Sequence, residues 1–202
     1  MSLENLKRDI AREFGTPAVV IDLDRVERNI ARTQAICDKA GVANRPHIKT
    51  HKSPVLARLQ IKAGAKGVTC QKLGEAEVMA EGGVDDILVS YNLIGAARSG
   101  RLARFMRHAR PIVCADNPVT IAAYADAARD AGSTLDVAIE CDTGRKRAGV
   151  ETAREAIQLA AEVKARPGLA FKGFLFYPTE QSWPDTQRFH DAYFGAETET
   201  GE

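Results

Sequence analysis

The sequence predicts an α/β fold in which parallel strands lie side by side beneath a layer of helices. Three observations carry that expectation. Short apolar runs rich in branched residues alternate strictly with stretches of helical period. The runs recur every ~20–35 residues, the spacing of a strand, a turn and a returning helix. Polar residues gather where the runs end, and in parallel βα arrays those carboxyl ends form the functional face.

The elements follow in order. Residues 4–14 predict a short helix, with Leu6, Ile10 and Phe14 at spacing four, and Gly15-Thr16-Pro17 stops it. Ala18-Val19-Val20-Ile21 reads as a buried strand because branched residues favour the pleated conformation. Asp24, with Glu27 three residues on, predicts a capping box. Val26, Ile30, Thr33, Cys37 and Ala40 then mark the apolar face of a helix that Gly41 ends.

From residue 45 the pattern settles into six strands: 45–50, 67–70, 86–90, 111–114, 135–140 and 169–177. The intervening helices are predicted over 54–63, 74–81, 96–108, from 116–118 onward, and 151–165. Apolar strands alternating with helices pair in parallel and are covered by those helices. Residues 1–15 form a leading helix, 16–194 the βα array, and 195–202 a polar tail expected to be disordered.

Bulk properties narrow the function. A net charge of +1 over 202 residues gives no electrostatic case for nucleic acid or an anionic membrane. No apolar run approaches the ~20 residues that span a bilayer. The first fifteen residues lack an apolar signal core. Cys37, Cys70, Cys114 and Cys141 are far apart and form no C-x-x-C, so they read as buried thiols of a reducing, cytoplasmic compartment.

The densest chemistry lies in Arg45-Pro46-His47-Ile48-Lys49-Thr50-His51-Lys52. Strand alternation would put His47, Lys49 and His51 on one face. Crowded positive charge favours a neutral amine, the form that condenses with an aldehyde. Other strands end in Gln71-Lys72, Ser90-Tyr91-Asn92, Asp116-Asn117, Glu140 with Asp142-Thr143-Gly144, and Tyr177. Asp116 reads as an N-cap. Glu140 and Asp142 share a face of an otherwise apolar strand, and a buried carboxylate needs a cationic partner, which Arg145, Lys146 or Arg147 could supply.

Four ordered blocks carry a resemblance: Thr16-Pro17-Ala18 into Ile21-Asp22-Leu23-Asp24, then Arg45 to Lys52, then Cys70 to Glu77, then Asp142 to Gly149. Together they closely resemble the D-threonine aldolase and D-serine dehydratase group, pyridoxal-phosphate enzymes with the alanine racemase fold. The resemblance implies a partial (β/α)8 TIM-type barrel of the alanine racemase N-terminal domain type. It implies a lyase acting on β-hydroxy D-amino acids, by retro-aldol cleavage or by elimination, with a small D-amino acid as substrate. Lys49 matches the Schiff-base lysine and Arg147 an arginine near the cofactor ring. Tyr177 matches a tyrosine beside the ring and Gln71 a glutamine of the pocket. His51, two residues past the lysine, is a catalytic or supporting candidate.

The departures from that group are also expectations. Its members are nearly twice as long, carry glycine-rich phosphate loops on the seventh and eighth strands, and hold a divalent metal in a following β domain. Those parts have no counterpart here, so the chain reads as truncated after the sixth strand. A non-catalytic or vestigial pyridoxal-phosphate-binding barrel fragment is an alternative. An amino-acid racemase is another, though no second base is found. An open barrel exposes strand edges, so a homo-oligomer, such as a dimer, is expected.

Overall fold

The computed structural model describes residues 2–179 and 183–200. The chain divides into two compact units, Met1–Val42 and Ala43–Glu202, so the boundary falls at 42/43.

The first unit holds two helices, α1 (Leu3–Phe14) and α2 (Leu23–Ala40). Ser2 caps α1 by accepting the Asn5 N–H. Asp22, rather than the expected Asp24, caps α2 through the Arg25 N–H at 3.0 Å. Gly41, in the left-handed conformation, ends α2. The strand expected at 18–21 does not form. These residues have no regular structure, and Val19, Val20 and Ile21 are 96%, 61% and 51% exposed. Branched residues make a strand only when a neighbour completes the ladder, and among the described residues none pairs with this run.

The second unit runs α3 (Pro54–Lys62), β1 (Val68–Cys70), α4 (Leu73–Glu81), β2 (Asp86–Val89), α5 (Ala96–Phe105), β3 (Arg110–Ala115), α6 (Pro118–Ala131), β4 (Leu135–Cys141), α7 (Ala153–Ala165), β5 (Leu169–Phe176) and α8 (Trp183–Thr200). The five strands form one parallel sheet in sequential order, β1-β2-β3-β4-β5. Sequential parallel order with a helix between strands is the arrangement of a partial (β/α) barrel. Residues 195–200, expected as part of a disordered tail, continue α8 to Thr200, and residues 201 and 202 lie outside the described residues.

Each strand has two faces of different character. Val68, Ile87, Val89, Val113, Val137 and Ile139 enter the apolar core beneath the helices. There they meet Met79, Leu102, Ile121, Tyr124 and Val163. Burying each such side chain contributes roughly 1.5–3 kcal/mol. The opposite face carries Thr69, Leu88, Glu140 and Leu175, which line a cavity. One irregularity sets the last strand's phase. Val137 pairs with Phe171 but Ala138 pairs with Gly173, so Lys172 is an extra residue. Gly173 takes a positive φ of 129°, which a glycine tolerates at a bulge. Beyond the bulge Leu175 lies opposite Glu140, and both face the cavity.

The first of the six expected strands, 45–50, reduces to one bridge between His47 and Thr69. Two ladder bonds form, Ile48 N–H to Thr69 O at 2.9 Å and Thr69 N–H to Pro46 O at 2.8 Å. Pro46 brings no N–H to extend the ladder. The Ile48 carbonyl then accepts both the His51 and Lys52 N–H groups, and the chain turns. Ser53 caps α3, whose first residue is Pro54. Residues 48–51 are therefore a turn, and the face shared by His47, Lys49 and His51 in an extended strand does not exist.

Candidate active site

The site is built from the carboxyl ends of the strands and the turns that follow them. Its cavity measures about 300 Å3, at the lower edge of the ~300–1,000 Å3 usual for small-molecule sites. Lys49, Gln71, Arg147 and Tyr177, four of the five residues singled out from the sequence, all line it. His47 and Glu140 line it as well.

The turn anchored by Ile48, which is fully buried, delivers Lys49 to the cavity. His47 accepts the Lys49 backbone N–H on Nδ1 at 3.3 Å. Its Nε2 is buried without a hydrogen-bond partner. Burial, then the nearby Lys49 charge, lowers the His47 pKa, while Gln71, Glu75 and the Thr69 backbone act in the opposite direction. His51, the fifth candidate, does not line the cavity. Its Nδ1 accepts the Ser53 N–H at 3.0 Å, where it helps start α3. Burial lowers its pKa too, against Gln60 and Ser53.

Lys52 has a different task. Its Nζ pairs with Glu75 at 2.9 Å, and Glu75 also accepts the Gln71 backbone N–H at 2.8 Å. Burial pushes the Glu75 carboxyl up, but Lys52 and these backbone donors outweigh it and hold the pKa below the usual value. Glu75 thereby fixes the backbone of Gln71. Among the described residues no carboxylate pairs with Lys49.

The turn after β4 is the most constrained part of the site. Asp142 Oδ1 accepts the N–H groups of Gly144 and Arg145 at 3.0 and 2.8 Å. Asp142 is thus a turn former, and among the described residues it forms no ion pair with Arg145, Lys146 or Arg147 as its place on the strand suggested. The chain returns through reciprocal bonds, Asp142 N–H to Val150 O and Val150 N–H to Glu140 O. Asp116 is not the N-cap of α6; Asn117 is, through the Thr120 N–H. Asp116 Oδ2 instead accepts the Gly149 N–H at 3.0 Å and closes the turn from the neighbouring strand. A Cβ at Gly149 would sit 2.6 Å from the Asp142 nitrogen, so only glycine fits.

This turn arranges cations around one ring. Arg145 Cζ lies 4.2 Å from the centroid of the Tyr177 ring, Arg147 Cζ 5.7 Å and Lys49 Nζ 5.9 Å. All three are within cation–π range. Arg145 was not a site candidate from sequence, and the Asp142-Thr143-Gly144 turn was the available signal. Glu140 is the carboxylate among the cavity residues. Burial raises its pKa to about 7, Asp116 and Asp142 add to the rise, and Arg147 opposes it. Its Oε2 is buried without a hydrogen-bond partner.

A larger cleft of about 730 Å3 shares the Gln71 and Tyr91 walls. There Lys52 pairs with Glu75 and Arg101 with Glu77, and Lys72 and Arg98 line the cleft as further cations. Among the described residues no three His, Cys, Asp or Glu side chains gather as a metal centre needs. No helix among them is long and apolar enough to cross a membrane.

The cavity suits pyridoxal phosphate by its chemistry. It offers a lysine without a carboxylate partner, a ring wall, and cations for an anionic cofactor. Buried polar atoms on His47 and Glu140 await partners.

The chain is similar to known proteins in sequence and in fold. The chain is 37% identical over 162 residues to a D-threonine aldolase of Arthrobacter sp, covering 80% of this chain and 43% of the relative. It is 38% identical over 167 residues to a 3-hydroxy-D-aspartate aldolase of Paracoccus denitrificans, covering 82% and 43%. The crystal structure of a D-threonine aldolase from Filomicrobium marinum superposes with a TM-score of 0.83 at 34% identity, over 90% of this chain and 53% of that one. The chain spans about half the length of the relatives it matches. The family model described as alanine racemase, N-terminal domain, matches residues 21–197, and the chain belongs to that family.

Proposed function

We propose that this chain binds pyridoxal phosphate through Lys49 and forms the cofactor-binding part of a lyase acting on β-hydroxy D-amino acids. The observation that carries the reading is the convergence of Lys49, Gln71, Arg147 and Tyr177 on one cavity, with no carboxylate pairing the lysine among the described residues. The relatives named as aldolases of D-threonine and 3-hydroxy-D-aspartate supply the substrate class.

Bound in the cavity, pyridoxal phosphate supplies an electron sink for the bond broken at the substrate α-carbon. The protein's own groups do the rest. Lys49 Nζ is the nucleophile toward the cofactor aldehyde. The Tyr177 ring, which lines the cavity, would form a wall beside the cofactor. Arg147, which lines the cavity, would donate to the cofactor's oxygen or ring. His47, its Nδ1 accepting the Lys49 backbone N–H, presents Nε2 to the cavity as a donor beside Lys49. Gln71, its backbone fixed by Glu75, presents its amide to the cavity.

The test is chemical. The chain is mixed with pyridoxal phosphate, reduced with borohydride and mapped by peptide mass spectrometry. Label is expected on Lys49 and absent in Lys49→Ala. Label concentrated on Lys52, or spread evenly over surface lysines, would refute the assignment.

A further inference from the structure

Three cations surround Tyr177, and the proposed function employs two of them. Lys49 bonds the cofactor and Arg147 contacts it. Arg145 lies nearest the ring, at 4.2 Å, and has no assigned task. Its guanidinium pairs with no carboxylate among the described residues, because Asp142 is occupied with the backbone N–H groups of Gly144 and Arg145. Tyr177 is 49% exposed, so the stacked guanidinium stands at the cavity rim and not in its floor. Gly144 at φ 95° and Lys146 at φ 50° hold the tip in a conformation that costs energy for lysine. The turn thus holds Arg145 over the ring at some conformational expense.

A planar guanidinium resting on an aromatic face keeps its donor edge for a carboxylate, which it binds through two parallel hydrogen bonds. Lys49 and Arg147 flank the same ring and serve the cofactor, which leaves Arg145 for an anion of the substrate. From this geometry we infer that Arg145 is a specificity residue that takes a second carboxylate of the substrate. The preferred substrate is then a β-hydroxy amino acid with an acidic side chain, in preference to one with a neutral side chain. This inference rests on the proposed use of the cavity. The alternative anion for Arg145 is the cofactor phosphate.

Calorimetry on the chain without cofactor separates the cases, using D-malate as dicarboxylate, D-lactate as monocarboxylate, and inorganic phosphate. D-malate is expected to bind about tenfold tighter than D-lactate, a difference of one carboxylate contact. Arg145→Gln should reduce that preference to about twofold. Arg145→Lys should keep part of it, and phosphate affinity should be unchanged in both. Lys146→Gln, with the same charge change one residue along, should leave the preference intact. The inference is overturned if the wild-type chain shows no dicarboxylate preference, or if Lys146→Gln removes it equally. A loss of phosphate affinity in Arg145→Gln, with the preference intact, also overturns it and assigns Arg145 to the cofactor. Labelling of Lys49 is independent of these results, so labelled Lys49 without a dicarboxylate preference fails this inference alone.

Discussion

At the scale of single residues, Glu140 shows how a site can carry a group that the fold disfavours. Its pKa rises from 4.5 to about 7 through burial and the neighbouring Asp116 and Asp142. A carboxyl with a raised folded pKa holds its proton in the folded state after the unfolded chain has released it. Its contribution to stability is therefore complete below about pH 4.5 and is lost as pH rises toward about 7. Glu140→Gln should remove that slope. Chemical denaturation at several pH values is expected to show the variant gaining on the wild type between pH 5 and 8, and a constant difference would assign the pH response elsewhere. Glu75 has the opposite sign: its lowered pKa makes its stabilisation fade in acid.

At the scale of elements, the buried Tyr124 ties three pieces together. Its hydroxyl donates to the Cys114 carbonyl at 2.8 Å and accepts the Leu93 N–H at 3.1 Å, joining α6 to β3 and to the segment before α5. Tyr124→Phe removes the partner of the Leu93 N–H and one donor to the Cys114 carbonyl, and should lower unfolding free energy by about 1–3 kcal/mol. An unchanged denaturation midpoint would show that these groups find other partners. The five strands of the sheet were legible because each is a short apolar run between clear breaks, and their branched residues face the helices. The run at 18–21 has the same local composition, but a strand also needs a partner, which local composition does not encode. The run at 45–50 failed for a local reason, since Pro46 and the doubly used Ile48 carbonyl turn the chain. Strand-end position pointed to Lys49, Gln71 and Tyr177, and the family resemblance singled out these three together with Arg147. Arg145 was not legible, because its place depends on the dihedral angles of a closed turn.

For the larger unit, the sheet order leaves β5 paired on one side only among the described residues, and β1 is extended only by the bridge to His47. An unpaired parallel edge offers a row of backbone donors and acceptors to another strand. Sedimentation velocity should therefore show a sedimentation coefficient that grows with protein concentration. A single monomeric species over a hundredfold concentration range would mean that the edges are shielded in solution.

The turn after β4 is fastened at both ends, by Asp142 at its start and by Asp116 on Gly149 at its finish. Between the fastenings, the two tip residues and Arg147 serve separate ends. Mutation can therefore exchange position 145 while the register of Arg147 stays fixed. The tip is thus free to vary in sequence without moving the residues on either side of it.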